Sequence, residues 1–424
     1  MSHAPTDALS RRHEVVREAT ARRSLDALII TSLPNILYLT NFTGSSAVVV
    51  LTAERLHFIA DFRYIETIAA TSGTPHECPG LELVTVDGSY DGALAVLLRS
   101  MPSARVGFEA AHLTVGRHQW LTAALRDTSV SGKSEHARSR PAPPAKNGRN
   151  PSRHRARSAL LGARDALLGR APSETAPVLV PTEGIVERAR VRKDEYELKT
   201  IRTAADLLSA VAAGVFEEVR RGRTERDVAL AIDWRMRRGG FDRAAFDTIV
   251  AAGPNAALPH AHPGERRLTE GDLVVLDFGG VYDSYCVDLS RTVSVGAASS
   301  RAREVYAAVR AAHDRAIEAV HPGQSRFAID QAARDVLAGQ GLGDAFGHGT
   351  GHGLGIEVHE DPRLARRRPD VDGQDESVAP GMVFTIEPGA YLAGWGGVRI
   401  EDDVVVTETG VEVLTDVTTE LLEI

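Results

Sequence analysis

The stretch "DLVVLDFGGVYDSYCVDLSRTVSV", residues 272–295, decides how the second half of this chain folds. Two runs rich in Val, Leu and Tyr flank a polar pair, which predicts two strands around a turn. With Tyr282 and Asp283 as a two-residue loop, Gly279 faces Cys286 and Asp277 faces Asp288. Residues opposite one another on antiparallel strands share a face, their Cβ atoms about 4.5 to 5.5 Å apart. Two carboxylates that close repel, and in the apolar surroundings implied by "VVL" and "YCV" one of them would have to hold a proton. A cation between them removes the conflict.

The pattern recurs in "GMVFTIEPGAYLAGWGGVRIEDDVVVT", residues 381–407, where a longer glycine-rich loop centred on Gly394 brings Glu387 opposite Glu401. The helical segments upstream repeat as well. "VRRGRTERDVALAI" (219–232) aligns without a gap to "VHPGQSRFAIDQAA" (320–333), matching Gly222 to Gly323 and the helix caps Thr224 to Ser325. The second domain therefore reads as a duplicated helix–helix–hairpin unit, each half supplying one carboxylate pair. Four carboxylates and one imidazole suffice for two divalent ions about 3.5 to 4 Å apart, the arrangement of two-metal hydrolysis. Ligation dominated by oxygen favours Mn²⁺ and also admits Co²⁺, Fe²⁺ or Zn²⁺.

Histidines are concentrated in "FGHGTGHGLGIEVHE", residues 346–360, which holds His348, His352 and His359 among glycines. Each glycine costs a helix about 1 kcal/mol relative to alanine, so this segment is a loop or strand.

The rest of the chain sets bounds. A formal net charge of -8 excludes a chain-wide nucleic-acid binder, and two cysteines provide no disulfide framework and fit a reducing compartment. "MSHAPTDALSRRHEVVREAT" lacks the apolar core of a secretory signal and no later run suits a membrane span, so a cytoplasmic location is expected. Residues 1–127 alternate helix and strand signals, with "LDALIIT", "AVVVLT", "RLHFIAD" and "LELVTVD" as strands of an α/β domain. Residues 128–178 are rich in Ser, Pro, Arg and Gly and read as a low-complexity insertion or linker. Residues 179–424 form the duplicated domain, opening on a helical pattern from about Asp194 to Arg221.

"LDFGG", "DLSRT", "GHGTGHGLGIEVHE", "TIEPG" and "VRIEDD", in this order, resemble the pita-bread metallopeptidases, specifically the aminopeptidase P and prolidase branch. "PNILYLTNFTGSSAVVVLT" is similar to that branch's creatinase-type N-terminal domain. The resemblance implies a creatinase-like α/β N-terminal domain and an α+β pita-bread catalytic domain with an internal pseudo-two-fold repeat. It also implies metal ligands Asp277, Asp288, His352, Glu387 and Glu401, with Asp288 and Glu401 bridging and Glu387 also moving a proton. His359 would contact substrate and stabilise the tetrahedral intermediate, His260 would bind substrate, and His348 would lie near the site. Arg399, two residues before Glu401, would orient that carboxylate. The implied activity is hydrolysis of the bond between an N-terminal residue and proline in a peptide, by a homodimer. Between peptide lengths the reading leans to aminopeptidase P, with the Xaa-Pro dipeptidase as alternative. A catalytically silent pita-bread binding module is disfavoured, because such modules typically lose ligands.

Overall fold

The computed structural model describes residues 3–101, 104–126, 176–368 and 376–424. The chain divides into two bodies, one of Leu9–Ile185 and one of Val186–Ile424 together with the N-terminal segment up to Ala8.

In the first body β1 (Ala27–Ile30), β2 (Val48–Thr52), β3 (Leu56–Ala60), β4 (Leu81–Thr85), β5 (Arg105–Glu109) and β6 (Val178–Thr182) form one sheet in the order β4-β3-β2-β1-β5-β6. "ALII" and "VVVL" are buried throughout, as uninterrupted apolar strands must be when both faces of a sheet are covered. Leu94, Leu98 and Leu121 from the helices Tyr90–Arg99 and Val115–Arg126 pack on Ile29, Val50 and Val106. The expected domain boundary at 179 is corrected here. Val178–Thr182 pairs in parallel with β5, so the chain completes the first sheet before the second body begins. Residues 128–175 of the expected insertion lie outside the described residues.

The second body repeats helix, helix and strands twice. The first half has the helices Glu195–Val215 and Glu225–Arg238, then β7 (Arg243–Ala244), β8 (Ile249–Ala252), β9 (Leu273–Tyr282) and β10 (Tyr285–Ser294), with β7, β8 and β10 all pairing with β9. The second half has the helices Ser300–Glu318 and Arg326–Gly339, then β11 (Gly351–Gly353), β12 (Glu360–Leu364), β13 (Val383–Ile386), β14 (Gly389–Leu392), β15 (Gly396–Arg399), β16 (Asp402–Val406) and β17 (Val411–Val413). Their sheet runs β12-β11-β13-β16-β17, with β14–β15 as a separate ribbon. Both expected caps are present: Thr224 forms a capping box with Asp227, and the Ser325 hydroxyl accepts from the amides of Phe327 and Ala328. Val309, Ala312, Ile329 and Leu337 of the second helix pair pack against Phe384, Ile386 and Val404 of the sheet.

The register of the first hairpin differs from the sequence expectation. Its turn is Asp283–Ser284, both with positive φ (44° and 74°), and Tyr282 faces Tyr285. A two-residue turn of this hand matches strand twist and needs left-handed φ at both positions, which Asp and Ser accept more readily than Tyr. Asp277 therefore pairs with Ser290 and Asp288 with Gly279. The slip is of two residues, so both aspartates keep a common face but sit diagonally, with about 7–8 Å between them for a cation. In the second half the flanking pairs Ile386↔Asp402 and Gly389↔Arg399 keep the expected register around Glu387 and Glu401. A bridge between Ser290 and Glu401 joins the two halves.

Among the described residues, no helix is long and apolar enough to cross a membrane.

Candidate metal centre

Asp277 lies on β9, Asp288 on β10, His352 on β11, Glu387 one residue past β13, and Glu401 between β15 and β16. Ligand atoms of Asp288, His352 and Glu401 come within 4.8 Å of one another, and all three residues are buried. His352 Nε2 is 3.6 Å from Glu387 Oε1 and 4.0 Å from Asp288 Oδ2. Its Nδ1 lies 3.1 Å from the Gly353 carbonyl, which can only accept. The ring proton therefore sits on Nδ1 and the Nε2 lone pair faces the carboxylates, the tautomer a metal ligand needs. Burial, with a smaller push from His359, lowers the His352 pKa to about 3, so the ring is neutral.

The carboxylates behave as an uncompensated cluster. Burial, followed by the charges of Glu401, Asp277, Asp403 and Glu387, drives the Asp288 carboxyl well above the usual range. Burial, then Glu387 and Asp277, does the same to Glu401. Burial raises Glu387 to about 7 against the pull of Arg399. Asp277 Oδ1 and Asp288 Oδ1 are buried without a hydrogen-bond partner among the described residues. Buried carboxylate oxygens without a donor are costly, and this donor set of oxygens and one imidazole nitrogen fits divalent cations.

Residues around the acids fix their geometry. Arg399 donates to Asp277 Oδ2 at 2.5 Å and to Ser290 Oγ at 2.9 Å, and Ser290 donates to Glu401 Oε2 at 2.6 Å. Arg399 thus holds Asp277 directly and reaches Glu401, which it was expected to orient, through Ser290. Its third branch meets Tyr391 Oη at 2.9 Å, and the same hydroxyl meets His348 Nε2 at 2.8 Å. His348 Nδ1 donates to the Gly349 carbonyl at 2.8 Å and lies 4.0 Å from Glu387 Oε2. Burial, aided by Arg399, lowers the His348 pKa to about 4 and keeps that ring neutral. Asp403, one of two acids following Glu401 in the sequence, accepts from the Asp288 amide at 2.9 Å. The sequence reading missed Ser290, Tyr391 and Asp403. Only the acidic run "EDD" hinted at the last of these.

The ring of His359 stands edge-on to His352, with centroids 4.2 Å apart. A cavity of about 930 Å³ opens over the acids, and His260, His348 and His359 line it together with Arg363. The glycines at 351 and 353 allow close strand packing. A Cβ on Gly351 would strike the Thr385 carbonyl, and one on Gly353 the Asp361 carbonyl, so the glycines let three strands pack closely around His352.

Comparison with known proteins agrees with this geometry. The sequence profile of Metallopeptidase family M24 matches residues 199–408, and that of the Creatinase/Prolidase N-terminal domain matches residues 12–140. The chain is 33% identical over 409 residues to the uncharacterized peptidase YqhT of Bacillus subtilis, covering 96% of this chain and 99% of that one. The solved Xaa-Pro dipeptidase from Bacillus anthracis superposes with a TM-score of 0.81 at 31% identity, covering 98% of this chain and 100% of that one. The X-Pro aminopeptidase from Thermotoga maritima MSB8 does so with a TM-score of 0.75 at 26% identity, covering 96% and 100%. The creatinase-type and pita-bread domains are both matched over nearly the whole chain, and this chain belongs to metallopeptidase family M24.

Proposed function

We propose that this peptidase is a dinuclear, metal-dependent Xaa-Pro dipeptidase, with Asp277, Asp288, His352, Glu387 and Glu401 holding two divalent ions, Mn²⁺ foremost. The observation that carries this reading is the convergence of four buried side chains and the half-buried Glu387 on one cavity, with carboxylate oxygens of Asp277 and Asp288 left without a donor among the described residues. Bound divalent ions supply Lewis acidity and lower the pKa of water at the site. Glu387, which lines the cavity beside His352, is placed to take a proton and return it to the leaving proline nitrogen. His359 faces the same cavity and is placed to donate to the oxyanion that develops on the scissile carbonyl. His260, which lines the same cavity, contacts the substrate, and Arg399 orients Asp277.

The sequence alone leans toward aminopeptidase P. Two observations favour the dipeptidase. Of the two solved structures compared, the dipeptidase is nearer in both identity and TM-score. Arg363 is the cross-strand partner of His352 and lines the cavity, so its guanidinium projects to the ligand face. A fixed cation there suits the C-terminal carboxylate of a dipeptide, since guanidinium and carboxylate pair in bidentate geometry. Turnover of Ala-Pro and Ala-Pro-Ala by wild type and Arg363→Leu tests this. The dipeptide should be preferred by wild type and lose roughly 10–100-fold in kcat/KM in the variant, the worth of one charge-assisted hydrogen bond. Preference for the tripeptide, with the variant indifferent, would restore aminopeptidase P.

A further inference from the structure

One buried carboxylate outside the metal centre holds both ends of the loop that carries His260. Glu225 is the first residue of the helix Glu225–Arg238 and is 1% exposed. Its Oε1 accepts from the Ala252 amide at 2.8 Å and from Asn255 Nδ2 at 3.0 Å. Its Oε2 accepts from the Gly264 amide at 3.1 Å and from Asn255 Nδ2 at 3.2 Å. The helix start does not need this side chain, because Thr224 and Asp227 already form the capping box. The donors instead lie before and after His260, so one carboxylate joins the two ends of the loop 252–264, alongside the β8–β9 ladder at Ala252 and the Arg226 amide on the Gly264 carbonyl. Within the loop, Arg399 donates to the Pro259 carbonyl at 3.2 Å, which ties the same segment to the residue that orients Asp277. The His260 imidazole itself makes no hydrogen bond or ion pair among the described residues, so its place over the cavity is set by the backbone that bears it.

We infer that Glu225 is a positioning residue for the reaction: its carboxylate fixes the 252–264 loop so that His260 meets the substrate. The inference rests on the reading of His260 as a substrate-contacting group. Gln at 225 would turn an amide NH₂ toward a set of N–H donors, losing at least one acceptor where all are needed. Asp would keep the charge and lose reach.

The test is a double-mutant cycle on the full chain loaded with Mn²⁺, measuring kcat and KM for Ala-Pro, metal content, and amide hydrogen exchange over 252–264. Glu225→Gln should retain two ions per chain, speed exchange at Ala252 and Gly264, and lower kcat/KM by roughly 10–100-fold, the usual effect of losing a supporting hydrogen-bond partner. In a His260→Ala background the same change should cost less than about 2-fold, because residues acting through one another are not additive. Asn255→Ala, which leaves the two backbone donors on Glu225, should show the same non-additivity with a smaller loss and serves if Glu225→Gln does not fold. An equal loss in both backgrounds, or loss of metal, would overturn the inference in favour of a general structural role. Wild-type efficiency in His260→Ala would overturn the reading beneath it, and that result comes from a separate variant.

Discussion

The two halves of the catalytic body each contribute two acids, but they present them differently. In the first half, β9 and β10 are unbroken ten-residue strands joined by a two-residue turn, and short aspartates reach inward from the middle of the ladder. In the second half the corresponding ladder is interrupted twice. Glu387 sits between β13 and β14, Glu401 between β15 and β16, and longer side chains bridge the gap. A continuous ladder fixes where a side chain starts, whereas a break needs outside support. The second half obtains it from the first: the Glu401 amide bonds to the Ser290 carbonyl, and the Ser290 hydroxyl bonds to the Glu401 carboxylate.

This contrast leads to ordered predictions. The largest effects come from the ligands themselves, in either half. Asp288→Ala and Glu401→Ala should each lower turnover by roughly 10³-fold or more, well beyond the 10–100-fold typical of supporting residues. Metal analysis should find fewer than two ions per chain in both. Two ions and normal turnover in Glu401→Ala would confine the chemistry to the first half. Next in size, His359→Ala should keep both ions while kcat falls by about 10²-fold, the effect of deleting one preorganised donor to an oxyanion. Metal loss in that variant would move His359 into the ligand set. A smaller effect is expected at the joint between the halves. Ser290→Ala should cost about 10-fold in activity and weaken metal retention, and unchanged retention would show that Glu401 needs no help from β10.

The mildest effect concerns the metal-free protein and pH. In the metal-free fold the Glu387 carboxyl is raised to about 7 from the ordinary 4.5, and burial and mutual repulsion raise Asp288 and Glu401 as well. Raised carboxyls hold protons in the folded state that the unfolded chain has released, so stability falls as pH rises between the two values. The Tm of chelated protein should therefore decline by several degrees from pH 5 to pH 8. With metal bound the acids are ionised throughout and the decline should be absent; a flat profile without metal would mean that the cluster is not crowded.

Much of this was legible in the sequence, because hairpin parity survives small errors. Misplacing the turn by one residue moved Asp277 and Asp288 from directly opposite to diagonal, yet both stayed on one face, since side-chain direction depends only on parity. The second hairpin was read in the correct register, as its glycine-rich centre left few choices. Local signals also announced the caps at Thr224 and Ser325. What could not be read was contact between segments distant in sequence. Ser290 and Tyr391 look like ordinary strand residues until Arg399 is placed between them, 109 and 8 residues away. Likewise, Val178–Thr182 shows no sign in its own sequence that it pairs with a strand some seventy residues earlier.

Metal stoichiometry coupled to activity tests the two-half centre most directly. The full chain is stripped with a chelator and titrated with Mn²⁺, while bound metal and Ala-Pro hydrolysis are followed together. Binding should saturate at two ions per chain, with hydrolysis absent in the stripped protein and restored as the sites fill. Full hydrolysis without metal, or saturation at a single ion with full turnover, would contradict a centre built by both halves.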